Sequence, residues 1–432
     1  MLPLVRRHAE DAAFYWQLLS SSAGATEVPA RRARHFAETL ALHLEGLGLA
    51  DADGRDVALQ SLQRWRKPGE VFAALHAALT LPPGPEQTQA VQAVFAVVTP
   101  SPDSLLRGAI SALAWAEPAH AAPWLAQALQ AEAVSRVAAL RTYALRGLPV
   151  PDWSQQVRHE SAFVRAAACR AAPAEASSVL LTLRADADLA VRAESVLAWA
   201  RLVPSNERSS EDSAQAASLL WRSVAEQLQL LGAATGWNRM HAQRRLARWL
   251  RHLAWLAPLG HPGVQQLLTQ LPPRLALSFI LHHGDPRHLG FVLRALHQPD
   301  SARWALWVWR CLSGVEPEAA GLTLPDAPLD LDAPLSAAQQ DADHGLPLPD
   351  AAAVAAHPAS RIAFSADQRL LMGQPVLPQT LRALLDPASN QPQALRFVAA
   401  HALEQLLPAY ALNLRASPAV QAAQLTRMGI SQ

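Results

Sequence analysis

The stretch from Leu259 to Gly314 constrains the fold most, because its helix boundaries are written in the same punctuation each time. It reads Leu-Gly-His-Pro, a short apolar run, Pro272-Pro273, a second run, then Gly284-Asp285-Pro286 and Gln298-Pro299-Asp300, each opening another run. Glycine ends a helix where a left-handed residue is needed. Asp or His supplies an oxygen or nitrogen to orphan N–H groups, and proline sits in the first turn, where its missing donor costs nothing. Leu289, Val292, Leu293 and Leu296 then fall at helical spacing. Short helices of this kind bury their faces only against neighbours, which predicts stacked helical hairpins.

Composition points the same way. At 432 residues, with 50% hydrophobic and only 6% aromatic side chains, the chain suits an extended helical array better than one compact core. The 37 basic and 36 acidic residues leave a formal charge of +1, so no global field draws it to nucleic acid or to an anionic membrane. Arg6, Arg7, Glu10 and Asp11 near the start leave no apolar segment for a secretory signal, and no uncharged run is long enough to span a bilayer. A cytoplasmic protein is expected. Cys169 and Cys311 are expected to be reduced, buried thiols.

Helices are predicted over 30–47, 56–65, 69–79, 86–98, 103–115, 238–257, 378–385 and 391–407, with Asp51-Ala-Asp53-Gly54 as a turn and 410–415 as one short strand or an extended arm. In the middle third, Ser135-Arg136-Val137-Ala138, Val164-Arg165-Ala166-Ala167 and Val191-Arg192-Ala193-Glu194 place an arginine near helix starts at intervals of 29 and 27 residues, a loose Val-Arg-x-Ala pattern that resembles HEAT repeats. Each arginine is expected to reach a carboxylate of the preceding turn, such as Glu160 or Asp188. From Gln227 to Gly284 there is no acid, whereas 311–360 holds eight acids and no Lys or Arg. The expected organisation is an all-α chain: a HEAT-like α-solenoid over 1–313, an acidic Pro-rich loop over 314–349, and a small C-terminal helical region over 350–432. The loop is expected to lie over the Arg244, Arg248 and Arg251 face, held by Leu322, Leu324, Leu329 and Leu331.

Chemistry is sparse. No P-loop, Gly-x-Ser-x-Gly elbow or His-Glu-x-x-His occurs. The densest ligand-type cluster, His282-His283-Gly284-Asp285-Pro286-Arg287-His288, reads as helix capping, because a helix presents metal ligands three or four apart and this spacing needs the chain to fold back. Asp330 and Asp332 lack a calcium-loop framework. Neither a catalytic residue nor a metal nor a cofactor is expected. The most suggestive surface is on the helix over 238–257, where Arg244, Arg248, Arg251 and Trp255 share one side, opposite Leu246, Trp249, Leu250, Leu253 and Leu256. Such a face suits a protein interface, or a groove that stacks bases.

His43-Leu-Glu-Gly46-Leu, Gly69-Glu-Val-Phe-Ala-Ala, the Gly284-Asp285-Pro286 turn, Arg369-Leu-Leu-Met-Gly373-Gln-Pro and Arg396-Phe-Val-Ala-Ala resemble, in this order, a proteobacterial family of HEAT-like proteins often encoded beside type VI secretion components. The resemblance implies a non-enzymatic adaptor with secretion-system partners, accessory to assembly or cargo loading. The alternative is a HEAT-like nucleic-acid-binding solenoid using the arginine and Trp255 face. A helical-repeat enzyme of the bilin-lyase type has no sign in its favour beyond the repeats. Under the nucleic-acid alternative, affinity for a generic oligonucleotide should fall steeply with salt and collapse in Arg244→Glu/Arg248→Glu. No binding at low salt would rule it out.

Overall fold

The computed structural model describes residues 2–203, 207–325, 343, 345–361 and 367–430. It is overwhelmingly helical. The helices are α1 Leu2–Ser22, α2 Ala30–Leu49, α3 Asp51–Trp65, α4 Pro68–Ala78, α5 Pro85–Val98, α6 Pro102–Trp115, α7 Pro118–Ala128, α8 Ala133–Arg146, α9 Trp153–Gln156, α10 Ala162–Arg170, α11 Ser177–Leu183 and α12 Leu189–Leu202. There follow α13 Ser210–Ala233, α14 Gly236–Leu256, α15 Gly263–Gln270, α16 Pro273–His283, α17 Leu289–Ala295, α18 Ala302–Ser313, α19 Ala351–Ala356, α20 Pro378–Leu385, α21 Gln393–Leu406 and α22 Pro418–Arg427. Two antiparallel pairs are the strands found among the described residues: β1 Thr323–Leu324 with β2 Leu348–Pro349, and β3 Leu370–Leu371 with β4 Gln374–Pro375. No described helix is long and apolar enough to cross a membrane.

The chain forms two compact units, one of 1–207, 386–397 and 407–432, the other of 208–385 and 398–406. The division falls within the stretch expected to be one array. In the first unit α4 packs on α6, α6 on α8, α8 on α10 and α10 on α12, while α5 packs on α4 and α6, α7 on α8 and α11 on α12. Its core is made of small and branched side chains, among them Val71, Leu75, Ala109, Leu113, Ala138, Leu140, Val164, Ala168, Val191 and Val196. Alanine lets these helices approach closely, and leucine and valine fill between them.

Arginine ties the series together at both helix ends. Arg136 donates to the Ala131 carbonyl, Arg165 to those of His159 and Glu160, and Arg192 to those of Asp186 and Ala187. The regularly spaced arginines thus grip the backbone of the preceding turn. The carboxylate partner of Arg165 is Asp186, at 2.9 Å, rather than Glu160, and Asp188 instead caps α12. At the other end, Arg146 in the last turn of α8 donates to Leu113 and Ala116 at the end of α6, and Arg201 of α12 to Arg170 and Ala172 at the end of α10. These carbonyls have no acceptor role within their own helices, so the neighbour's cation satisfies them and complements the negative helix end.

Asp51 to Gly54, read as a turn, is the first turn of α3. Gly54 is buried there, and a Cβ would strike the Leu47 carbonyl. The 410–415 segment forms no strand and leads into α22. In the second unit α13 packs on α14, α14 on α16 and α16 on α18. Of the acidic segment, 326–342 and 344, with Leu329 and Leu331, lie outside the described residues. Leu322 is buried and Leu324 exposed. Asp343 pairs with Arg274 of α16 at 2.5 Å, an arginine outside the Arg244, Arg248 and Arg251 face over which the segment was expected to lie.

Burial fixes the acid response. Desolvation lowers the pKa of His76 to about 4, and burial, followed by the nearby Arg251 charge, lowers that of His401 to about 3. A histidine that stays neutral when folded but protonates near 6.5 when unfolded contributes stability above that pH. The contribution fades as pH falls toward the folded value. Each should therefore cost about 1.4 kcal/mol per pH unit below 6.5. Stability measured by denaturation between pH 7.5 and 4.5 should fall less steeply in His76→Phe, and parallel curves would contradict this.

Candidate functional sites

In the second unit, Gly284 ends α16 in the left-handed region at φ 65°, and Asp285 caps a 3₁₀ turn, Pro286–His288, that leads into α17. The backbone reversal turns His283, the last residue of α16, toward His288. The two rings stack with centroids 5.4 Å apart. Asp285 Oδ2 lies 3.8 Å from His283 Nε2 and 4.0 Å from His288 Nε2, and one ligand atom from each residue falls within 4.8 Å of the others. All three are buried, at 0%, 1% and 3% exposure for His283, Asp285 and His288.

The hydrogen bonds define the protonation of this cluster. Asp285 accepts from the Gly260 N–H at 2.8 Å and the Arg287 N–H at 3.0 Å. Burial alone would raise its pKa, but these donors and the adjacent imidazoles hold it below the usual carboxylate range. His283 Nδ1 lies 2.7 Å from the Ala254 carbonyl. Arg369 Nη1 already directs its hydrogens to the Ala254 and His283 carbonyls, at 2.9 and 2.6 Å. The short Nδ1 contact therefore needs its own proton on Nδ1, which leaves the lone pair on Nε2, facing Asp285. Burial, then the Arg369 charge, lowers the His283 pKa to about 3. Burial also lowers that of His288. Both rings are neutral at physiological pH. Among the described residues, His283 Nε2 and both nitrogens of His288 have no hydrogen-bond partner.

The β3–β4 hairpin backs this cluster. Met372 and Gly373 take φ of 53° and 68°, the positive values a two-residue type I′ turn requires. The hairpin crosses three helix ends in order. Arg369 donates to Trp255 and Ala257 at the end of α14, the Leu370 N–H to Gly284 after α16, and the Met372 and Gly373 N–H groups to Cys311 and Leu312 of α18. Gly314 is needed at the last crossing, where a Cβ would stand 2.5 Å from the Met372 carbonyl oxygen.

The arginine face predicted on α14 is placed as follows. Leu246, Trp249, Leu250, Leu253 and Leu256 are buried. Arg244 is exposed, Arg248, Arg251 and Trp255 are half-buried, and the Arg369 guanidinium lies 4.8 Å above the Trp255 ring. One face of that indole is therefore occupied by a neighbouring cation. Close by, His401 meets His252 and His282 edge to face, at 4.7 and 5.4 Å.

A feature of the first unit gave no sign in the sequence. Ala41, Leu42, Leu44, Gly48 and Leu49 of α2, with His76, Thr80 and Trp115, line a groove of about 810 Å³ that Pro418 of α22 closes at one end. Leu42 and Leu49 are 66% and 83% exposed, and Glu38 and Glu45 stand on the rim. Helical periodicity places Leu42 and Leu49 off the core stripe of α2, and only the fold shows that they border an open groove.

Comparison of the chain with protein-family models, curated proteins and solved structures gave no match.

Burial pulls the Arg369 pKa down to about 10, which leaves it charged at neutral pH. Arg369→Met should destabilise the second unit by about 3–5 kcal/mol, because several buried carbonyls lose their donor together. A denaturation midpoint within error of the wild type would show that the carbonyls find other partners.

Proposed function

We propose that the protein is a non-enzymatic interaction scaffold or adaptor, an α-solenoid of HEAT-like hairpins that works in the cytoplasm and binds a protein partner through the groove of its first unit. The carrying observation is the pair of exposed leucines, Leu42 and Leu49, bordering a preformed apolar groove with an acidic rim. Apolar side chains grouped on a concave surface favour burial against a partner, at about 1.5–3 kcal/mol for each leucine fully covered. The rim carboxylates of Glu38 and Glu45 select for a basic flank. The occupant we assign is an amphipathic helix with an apolar stripe and Lys or Arg on its edges.

The sequential packing of α4, α6, α8, α10 and α12 and their arginine ties support the repeat reading. The sequence resemblance to the HEAT-like family found beside type VI secretion components supports partners of that system. A role in assembly or cargo loading follows from that resemblance alone.

The test is a paired pull-down from the native cell with mass spectrometry, comparing the wild type with Leu42→Asp/Leu49→Asp. Expected is a defined protein enriched on the wild type and depleted at least tenfold on the variant, with equal helical circular dichroism. A synthetic peptide from that protein should then bind the purified chain. Equal enrichment on both would place the interface elsewhere, and recovery of nucleic acid in place of protein would favour the arginine face of α14.

A further inference from the structure

We propose that His283, Asp285 and His288 form a binding site for one divalent transition-metal ion of the zinc class, which clasps the turn between α16 and α17. This inference is independent of the docking groove.

Capping explains only part of the cluster. Asp285 serves the Gly260 and Arg287 N–H groups, and Gly284 supplies the helix stop. Neither role uses His288, whose two ring nitrogens are buried with no partner among the described residues, nor His283 Nε2, which points its lone pair at the same carboxylate oxygen. A buried polar atom left unsatisfied costs about 1–3 kcal/mol, so the two Nε2 atoms gathered around one carboxylate oxygen need a common explanation. Donor hydrogens do not provide it, since the gaps to Asp285 Oδ2 are 3.8 and 4.0 Å, too long for hydrogen bonds. A cation among them does. With ligand bonds of about 2.0–2.2 Å, each atom needs to move inward by only a few tenths of an ångström.

The donor set selects the metal. Two neutral imidazoles and one carboxylate suit zinc, cobalt, nickel or ferrous iron, whereas magnesium and calcium require oxygen ligands. His283 is already oriented as a ligand: its Nδ1–H is held by the Ala254 carbonyl, the outer-sphere arrangement that fixes Nε2 toward a metal. Burial of all three residues keeps substrate away from the ion, which acts as a clasp within the fold.

Two cations oppose the ion. Arg369 lies behind His283, with Nη1 2.9 Å from Nδ1, and is fixed by the helix-end carbonyls. Arg287 Nη1 lies 3.4 Å from Asp285 Oδ2, and its side chain is 39% exposed. Arg287 is therefore the competitor that must shift as the metal enters, and it occupies the same carboxylate oxygen. Removing its charge should strengthen binding.

The experiment uses the full chain stripped with a chelator. Cobalt(II) is titrated and followed by its d–d absorption, and zinc(II) is measured by competition against a chromophoric chelator. Expected are one equivalent per chain, a higher melting temperature with zinc, at least tenfold weaker binding in His288→Phe and in Asp285→Asn, and tighter binding in Arg287→Gln. The more exposed His8 and His43 pair, with Nδ1 atoms 3.0 Å apart, is the rival site, and His43→Ala should bind as the wild type does. Absence of a stoichiometric site overturns the proposal, as does binding unchanged in His288→Phe or abolished by His43→Ala. If His288→Phe loses its helical signal, Arg287→Gln decides: tighter binding supports the site, and equal or weaker binding overturns it.

Discussion

A helix ends with carbonyl groups that find no partner in their own turn, and a chain built from many short helices meets this problem at every hairpin. Here the answer is a donor sent from elsewhere. In the first unit the next helix of the series sends it, through Arg146 and Arg201. In the second unit a separate segment, Arg369 to Gly373, supplies donors to the ends of α14, α16 and α18. Each donor satisfies a buried acceptor and also fixes the relative height of two helices, so the same interactions provide both stability and register.

This arrangement explains why the two kinds of sequence signal differed in value. Local punctuation was legible: the starts and stops of α4, α5, α6, α14 and α20 follow from Pro, Gly and Asp at the ends and from apolar spacing within. The donors were not, because Arg369 and the Ala254 carbonyl are separated by 115 positions and nothing in a local window connects them. The hairpin around Met372 was missed for a related reason. Its turn holds a methionine at positive φ, where glycine or asparagine would be expected, and contact with the end of α18 offsets the local preference. Asp51 to Gly54 misled in the opposite direction, since Gly54 serves close helix packing there rather than a turn.

The histidine cluster sits between these cases. Its residues were visible as the densest group of ligand types, but helical geometry alone sends positions 283, 285 and 288 in different directions. The left-handed Gly284 and the short 3₁₀ turn reverse the chain so that the side chains converge. The proton on His283 Nδ1 depends on carbonyls and a guanidinium distant in sequence. Position and identity were thus readable, whereas protonation and convergence belong to the tertiary structure.

The β1–β2 pair sets Leu324 against Leu348 and Thr323 against Pro349, so positions 324 and 348 of the acidic segment are held side by side. A segment whose ends are fixed together can change in length at little thermodynamic expense, since each doubling adds only about 0.6 kcal/mol of closure entropy. Insertions between positions 325 and 343 therefore cost little, whereas Asp343 is tied to Arg274 and Leu346 is buried, so an engineer would splice a reporter domain ahead of Asp343.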